Sequence, residues 1–346
     1  MTERKLATIR KIAEVKAIPD ADKICAYRVD GWWVVDSVGK YQVNDLVVYA
    51  EPDSWVPTEL APFLSKGKEP RQFESVKGER LRTVKLRGQI SQGLLLPVEV
   101  DSGQFTGDVH VVKGEPVEEG MDVTELLGIL KWERPMNAQL AGMARGNFPA
   151  LVPKTDQERI QNLTRSFAQY QEDSWSITEK LDGSSCTFYL DDEDVFHVCS
   201  RNLDLKEDEA NSFWKVAHKF QIEDIMRRNF MKGMAIQGEM IGEGIQGNQY
   251  KVQLDFYVYD MYNTATGQYI LPVQLKAACE RLGLKHVPIL AEDTDIKEQS
   301  IQSILDFAEG KSLLNGSNRE GVVFKSNTVH DRSFKSISNS WLLKNE

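Results

Sequence analysis

The sequence predicts an α+β protein in two parts, a small barrel of short strands and then a domain mixing antiparallel sheets with helices. Three observations predict it. Over residues 6–100, apolar or alternating runs recur between turn residues, with few helical periods. Helical spacings enter among the strands only from about residue 156. With 346 residues, the chain is long enough for two separate cores.

The N-terminal runs fall at 6–15, 26–29, 32–35, 46–50, 81–86 and 94–98, divided by turn signals such as Pro19-Asp20, Asp30-Gly31 and Gly88. Strands at this spacing suggest a small barrel of the oligonucleotide-binding (OB) type. Residues 101–130 are acidic and lose the alternation, and a short helix over 122–130 is expected to close a first domain at residue 130. Prolines and glycines punctuate 131–155, which reads as a linker leading into a second domain over 156–346. Asp156 reads as the N-cap of a helix with Ile160, Leu163 and Phe167 on one face. Strands are then expected at 175–178, 186–190, 195–199, 235–240, 256–261, 321–325 and 334–337. Phe213, Val216, Ala217 and Phe220 mark a helix, Pro272 and Gly283 bracket another, and a third covers 296–308.

Hydrophobic residues at 41% and charged residues at 27% describe a soluble globular chain. There is no apolar run of about 18 residues, so no membrane contact is expected. The charged start, Met1 to Lys5, argues against a secretory signal. Cys25, Cys186, Cys199 and Cys279 are scattered, which fits free thiols in an intracellular compartment. The histidines at 197, 218, 286 and 330 are unclustered, so zinc or histidine chemistry is not expected.

The net charge of −10 speaks against nucleic acid, but charge is unevenly spread. Between residues 66 and 87, Lys66, Lys68, Arg71, Lys77, Arg80, Arg82, Lys85 and Arg87 stand against three acids. Lys66, Lys68, Arg71, Arg82, Lys85 and Arg87 are the candidate nucleic-acid contacts. Trp32, Trp33 and Trp55 could stack on bases, although barrel core is the commoner place for such residues.

The chemistry centres on Thr178-Glu179-Lys180-Leu181-Asp182-Gly183-Ser184-Ser185. A lysine two residues before an acid, followed by small residues, can serve as a nucleophile towards a phosphoanhydride if it is kept deprotonated. Five separated clusters follow: Ser200-Arg201-Asn202, Gly238-Glu239, Asp255-Phe256-Tyr257, Glu320 to Lys325, and last Ser333-Phe334-Lys335. Glycines beside Glu239 and Glu320 suit close approach of backbone to a nucleotide.

In this order and spacing the clusters resemble the motif set of covalent nucleotidyltransferases, the polynucleotide ligases and capping enzymes. Gly238 to Gln246, Asp255 to Asp260 and Lys154 to Asn162 are similar to RNA ligases that repair nicks in duplexes. The barrel comes first here, with Lys85 to Gly93 inside it, an order that resembles the Deinococcus and Naegleria type of ATP-dependent RNA ligase. The resemblance implies an ATP-grasp-like adenylyltransferase domain of antiparallel sheets flanked by helices, and a magnesium or manganese requirement. It implies that Lys180 attacks the α-phosphate of ATP to give lysyl-AMP, with Lys325 and Lys335 stabilising phosphate charge. It places Glu179, Asp182, Gly183, Arg201, Glu239 and Phe256 around the nucleotide, Phe256 against adenine. Asp182, Glu239 and Glu320 are the implied metal ligands. The implied partner of a monomeric enzyme is nicked duplex RNA or an RNA/DNA hybrid. The chain departs from the broader K-x-K pattern, since Ser336 and Ile337 follow Lys335; Lys344 is a distant substitute. A capping guanylyltransferase and a non-catalytic RNA-binding protein are the rival readings.

Overall fold

Short strands dominate both halves of the chain, as the turn-bounded runs require. The computed structural model describes residues 4–98, 117–133 and 142–346. The chain divides into two compact units: residues 1–135 with 161–165 and 342–346, and residues 136–160 with 166–341. Part of the expected linker, 134–141, and most of the acidic stretch before residue 117 lie outside the described residues.

In the first unit, Leu46–Ala50 is the centre of a three-stranded antiparallel sheet, flanked by Ala7–Lys11 and Leu94–Pro97. Glu14–Ala17, Ile24–Val29 and Trp32–Ser37 form a meander. Ser54–Pro57, Val76–Arg80 and Arg71–Phe73 join the short strand Leu130–Lys131 in a four-stranded sheet. Inward-facing side chains fill two clusters, one around Ile9, Val48, Leu81 and Leu96, the other around Tyr27, Trp32, Tyr49 and Leu95.

The second unit carries a seven-stranded and a five-stranded sheet. Trp175–Lys180 lies inside the smaller sheet, between Gly321–Ser326 and Ile289–Thr294. Ser184–Leu190 lies inside the larger one, between Phe196–Cys199 and Met234–Ile241. The chain therefore passes from one sheet to the other through Leu181-Asp182-Gly183. Glycine is needed there: a Cβ at residue 183 would lie 2.3 Å from the Met240 carbonyl oxygen. Helices Ser212–Lys219, Ile222–Arg228 and Pro272–Leu282 cover the larger sheet, contributing Val216, Met226 and Leu275 to its core. Gly283, with φ +69, ends the third of these, as its place after the last turn predicts.

Three helix expectations need correction. No helix forms over 122–130: residues 124–128 are turns, Thr124 Oγ1 accepts the backbone N–H groups of Leu6 and Ala7, each at 3.0 Å, and Gly128 takes φ +61. The helix capped by Asp156 is absent. Glu158–Arg159 pairs in parallel with Phe334–Lys335, and the α-helix waits until Phe167–Gln171. The helix expected over 296–308 begins at Ile301, where Ser300 and Ser303 exchange capping bonds. The helix Asn339–Asn345 was not anticipated.

Candidate active site

The lysine motif and the clusters that carry Arg201, Glu239, Glu320 with Lys325, and Lys335 come together in the second unit. Antiparallel pairing sets Lys180 opposite Gly321, which brings Glu320 beside the lysine. Lys180 Nζ donates to Glu320 Oε1 at 2.6 Å. Glu239 arrives from the larger sheet, where it pairs with Ser185 on one side and Tyr257 on the other. Asp182 is fixed through its backbone N–H, which donates to Tyr250 Oη at 2.8 Å. A cavity of about 250 Å³ opens here, lined by Lys180, Glu239, Arg201, Lys325 and Lys335 among others.

The electrostatics follow from three carboxylates around one amine. Burial alone would lower the Lys180 pKa, but Glu320, Glu239 and Asp182 outweigh it and hold the ammonium above its ordinary value. Burial pushes the Glu239 carboxyl up to about 8; the Lys180 charge opposes that rise, and Glu320 and Asp182 add to it. In the chain alone the lysine is thus protonated, the reverse of what nucleophilic attack needs.

These acids fit a divalent cation. Glu320 Oε2 is buried without a hydrogen-bond partner, and the oxygen donors are of the hard type that magnesium and manganese take. Among the described residues, no three His, Cys, Asp or Glu side chains converge tightly enough to cage a metal directly. Asp182, Glu239 and Glu320 are the residues that could hold such an ion, in part through its waters.

The second tier of cations is equally built in. Lys325 Nζ lies 2.6 Å from Asp260 Oδ1 and also donates to the Tyr259 carbonyl oxygen. Lys335 Nζ donates to Asp156 Oδ1 at 2.7 Å, and Arg201 Nη2 lies 3.5 Å from Asp156 Oδ2. Tyr259 Oη bridges Thr155 Oγ1 and Ser185 Oγ at 2.9 Å each, tying the wall of the cavity to its floor.

Other expected residues lie elsewhere or act differently. Phe256 is 2% exposed and packs edge-on against Phe188 at 5.1 Å, within the core of the larger sheet. The strand Asp255–Asn263 turns Tyr257 and Tyr259 to the opposite side, so Tyr259 lines the cavity and Phe256 does not. Glu179 lines the cavity, but its carboxylate is engaged by the loop beyond: Oε2 accepts the Leu313 N–H at 2.8 Å, and burial raises its pKa. Lys344 lies on the terminal helix, in the last five residues assigned to the first unit. In the sequence Asp156 read only as a helix cap, and Tyr259 carried no assigned role. The two-residue repeat from Tyr257 to Tyr259 is the signal that could have found the second.

In the first unit, Lys66, Lys68, Arg71, Arg82, Lys85 and Arg87 are all exposed. Arg71 and Lys77 face Glu79 and Glu69 at 3.8 and 4.0 Å, and Arg80 pairs with Asp53 at 2.5 Å. Lys85 and Arg87 stand on the hairpin Val84–Leu86/Gln89–Ser91, whose tip turns through Arg87 and Gly88 at φ +47 and +85. The hairpin runs beside Trp32–Ser37, since Gln92 N donates to the Trp33 carbonyl and Val35 N to Ser91 Oγ. Trp32 and Trp55 are core, whereas Trp33 is half-buried with Lys16 and Arg28 each 5.9 Å from its ring.

Over the whole chain the protein is 38% identical to an apo aspartate mutant of Naegleria gruberi RNA ligase. The two superpose with a TM-score of 0.88, over 100% of this chain and 99% of that one. The chain belongs to the RNA ligase family. Residues 173–337 match that family directly, and residues 6–98 match an OB-fold domain. Naegleria gruberi RNA ligase with pyrophosphate is 38% identical at a TM-score of 0.87, covering 99% of each chain. A lysine-to-alanine mutant of that ligase with ATP and manganese is 37% identical at 0.86, again over 99% of both. No curated protein sequence matches. The expected order of an OB fold followed by a sheet-rich ligase domain therefore holds for this RNA ligase. Among the described residues, no helix is long and apolar enough to cross a membrane.

Proposed function

We propose that this RNA ligase uses ATP with magnesium or manganese to seal 3′-OH/5′-phosphate nicks in duplex RNA or RNA/DNA hybrids. The observation that carries the reading is Lys180 in a cavity, ringed by Asp182, Glu239 and Glu320, with Lys325, Lys335 and Arg201 on its walls. Pyrophosphate and ATP with manganese in the Naegleria ligase support the same ligand chemistry.

Neutral Lys180 Nζ attacks the α-phosphorus of ATP. The new N–P bond forms as the α–β bridging bond breaks, and pyrophosphate leaves with the electron pair. Asp182, Glu239 and Glu320 would hold a divalent cation, which when bound would supply positive charge favouring loss of the lysine proton and stabilising phosphate charge. Lys325 and Lys335 offset charge gathering on the α-phosphate oxygens, and Arg201 holds phosphate or ribose. Leu181, Val287, Val323 and the Tyr259 ring give adenine an apolar seat, the place that Phe256 was expected to supply. AMP then passes to an RNA 5′-phosphate, breaking the N–P bond. The 3′-OH attacks that phosphate next, forming the phosphodiester and releasing AMP.

In this reading residues 156–346 carry out transfer, 131–155 link, and 1–130 grip the duplex, with the exposed cations of the first unit meeting phosphates. The enzyme acts as a monomer inside the cell. Incubation with labelled ATP and magnesium should leave acid-labile label on the protein, more than GTP gives, and Lys180→Ala should abolish it. Label that persists on the alanine variant would overturn the assignment.

A further inference from the structure

The cations on the cavity wall are not left to find their own positions. Lys335 stands on Ser333–Ile337 of the smaller sheet, and Arg201 on the turn that follows Phe196–Cys199 of the larger one. A single carboxylate joins them, since Asp156 Oδ1 accepts from Lys335 at 2.7 Å and Oδ2 lies 3.5 Å from Arg201. Asp156 is itself held in place. Its neighbour Thr155 bonds Tyr259 Oη at 2.9 Å, and Gln237 Nε2 donates to the Pro153 carbonyl at 2.9 Å. Two residues on, Glu158 pairs in register with Phe334. The carboxylate is therefore a fixed part of the wall.

We propose that Asp156 is a positioning and charge-balancing residue, which fixes Lys335 and Arg201 across the two sheets and limits the grip of the site on polyphosphate. The proposal rests on the ligase reading for the reaction it serves. An ammonium has three donors, so Lys335 can keep its bond to Asp156 and still meet a phosphate oxygen. The bridge aims both cations at one point, where charge gathers during transfer. Its own negative charge weakens ground-state attraction for polyphosphate, and uniform binding of that kind does not speed the chemical step.

Two opposite effects are expected from one substitution. Asp156→Asn should bind inorganic tripolyphosphate about three- to tenfold more tightly at low salt, because one repelling charge is gone. The same variant should load Lys180 from saturating ATP about tenfold more slowly, because the cations lose their alignment. KM for ATP and kcat should thus fall together. Asp156→Glu keeps the charge and should bind tripolyphosphate as the wild type does. The double variant Asp156→Asn/Arg201→Ala should bind it more weakly than Asp156→Asn alone.

Titration calorimetry with tripolyphosphate and single-turnover labelling test these outcomes. Equal or weaker tripolyphosphate binding by Asp156→Asn overturns the proposal, as does tightening by Asp156→Glu. A double variant that binds as well as the single one refutes the bridge. Failure of the wild type to take label from ATP would instead defeat the ligase reading, while the tripolyphosphate comparison would still decide the charge-balancing role.

Discussion

Lys180 Nζ and Glu320 Oε1 stand 2.6 Å apart because antiparallel register, not sequence proximity, places their strands side by side. The contact keeps the amine protonated, and the second Glu320 oxygen is buried and unsatisfied. Adenylylation should therefore need a divalent cation, and chelation should abolish the label. Glu320→Gln should slow loading of Lys180 about 100-fold or more, the scale of a lost electrostatic group in an active site. Single-turnover labelling checks both. Labelling by Glu320→Gln at the wild-type rate would remove Glu320 from the mechanism.

Phe256 is packed against Phe188 and lies over Gly238, where a Cβ would come within 2.4 Å of the ring. Phe256→Leu should accordingly act on stability, costing about 1–2 kcal/mol in denaturant melts through lost packing volume. The ATP dissociation constant should stay near its wild-type value. A large rise in that constant, with little loss of stability, would restore the ring to adenine.

What the sequence displays is chemistry tied to short spacing. Lys180, Asp182, Glu239 and Glu320 were legible because each sits beside glycines or within a motif of a few residues; Lys180 and Glu239 line the cavity, and Glu320 bonds the lysine. Phe256 was misread for a physical reason. Strand alternation says that Phe256 and Tyr257 face opposite ways, but only the stacking of helices on the larger sheet decides which way is inward. Asp156 looked like a helix cap because an acid preceded apolar residues at helical spacing. The competing strand, Phe334–Lys335, lies too far along the chain for any local pattern to register. The run over 81–86 failed similarly: Leu81 is core, while Val84, Lys85 and Leu86 belong to an exposed hairpin.

That hairpin gives a prediction about salt. Lys85 and Arg87 are exposed, and among the described residues neither forms an ion pair, whereas Arg71, Lys77 and Arg80 do. If each meets one phosphate, Lys85→Ala/Arg87→Ala should weaken binding of nicked duplex RNA at every sequence. It should also flatten the slope of log K against log salt by about 1.8, at roughly 0.9 per phosphate contact. Fluorescence anisotropy across a salt series measures the slope. An unchanged slope would take the hairpin out of the duplex interface.

His197 offers a test of stability against pH. Nδ1 lies 2.9 Å from Asp204 Oδ2 and Nε2 lies 3.0 Å from Asp191 Oδ2, while Arg145 bonds Asp204 at 2.8 Å and also reaches Nδ1. The Asp204 hydrogen bond raises the His197 pKa; burial opposes it, and Asp191 reinforces it against the repulsion of Arg145. These contacts clasp the strands Ala144–Asn147, Phe196–Cys199 and Leu203–Leu205, from which the Arg201 turn projects. A folded-state pKa above the unfolded one means that stability is gained when the imidazole is charged. That gain is complete below the unfolded value of about 6.5 and fades as pH rises through the folded value. His197→Gln should therefore cost more at about pH 6, on the order of 1–2 kcal/mol for the charged hydrogen bonds lost, than at about pH 8.5. Melting wild type and variant across that range measures the difference. A penalty that stays flat or grows towards alkaline pH would mean that the ring is neutral in the folded protein.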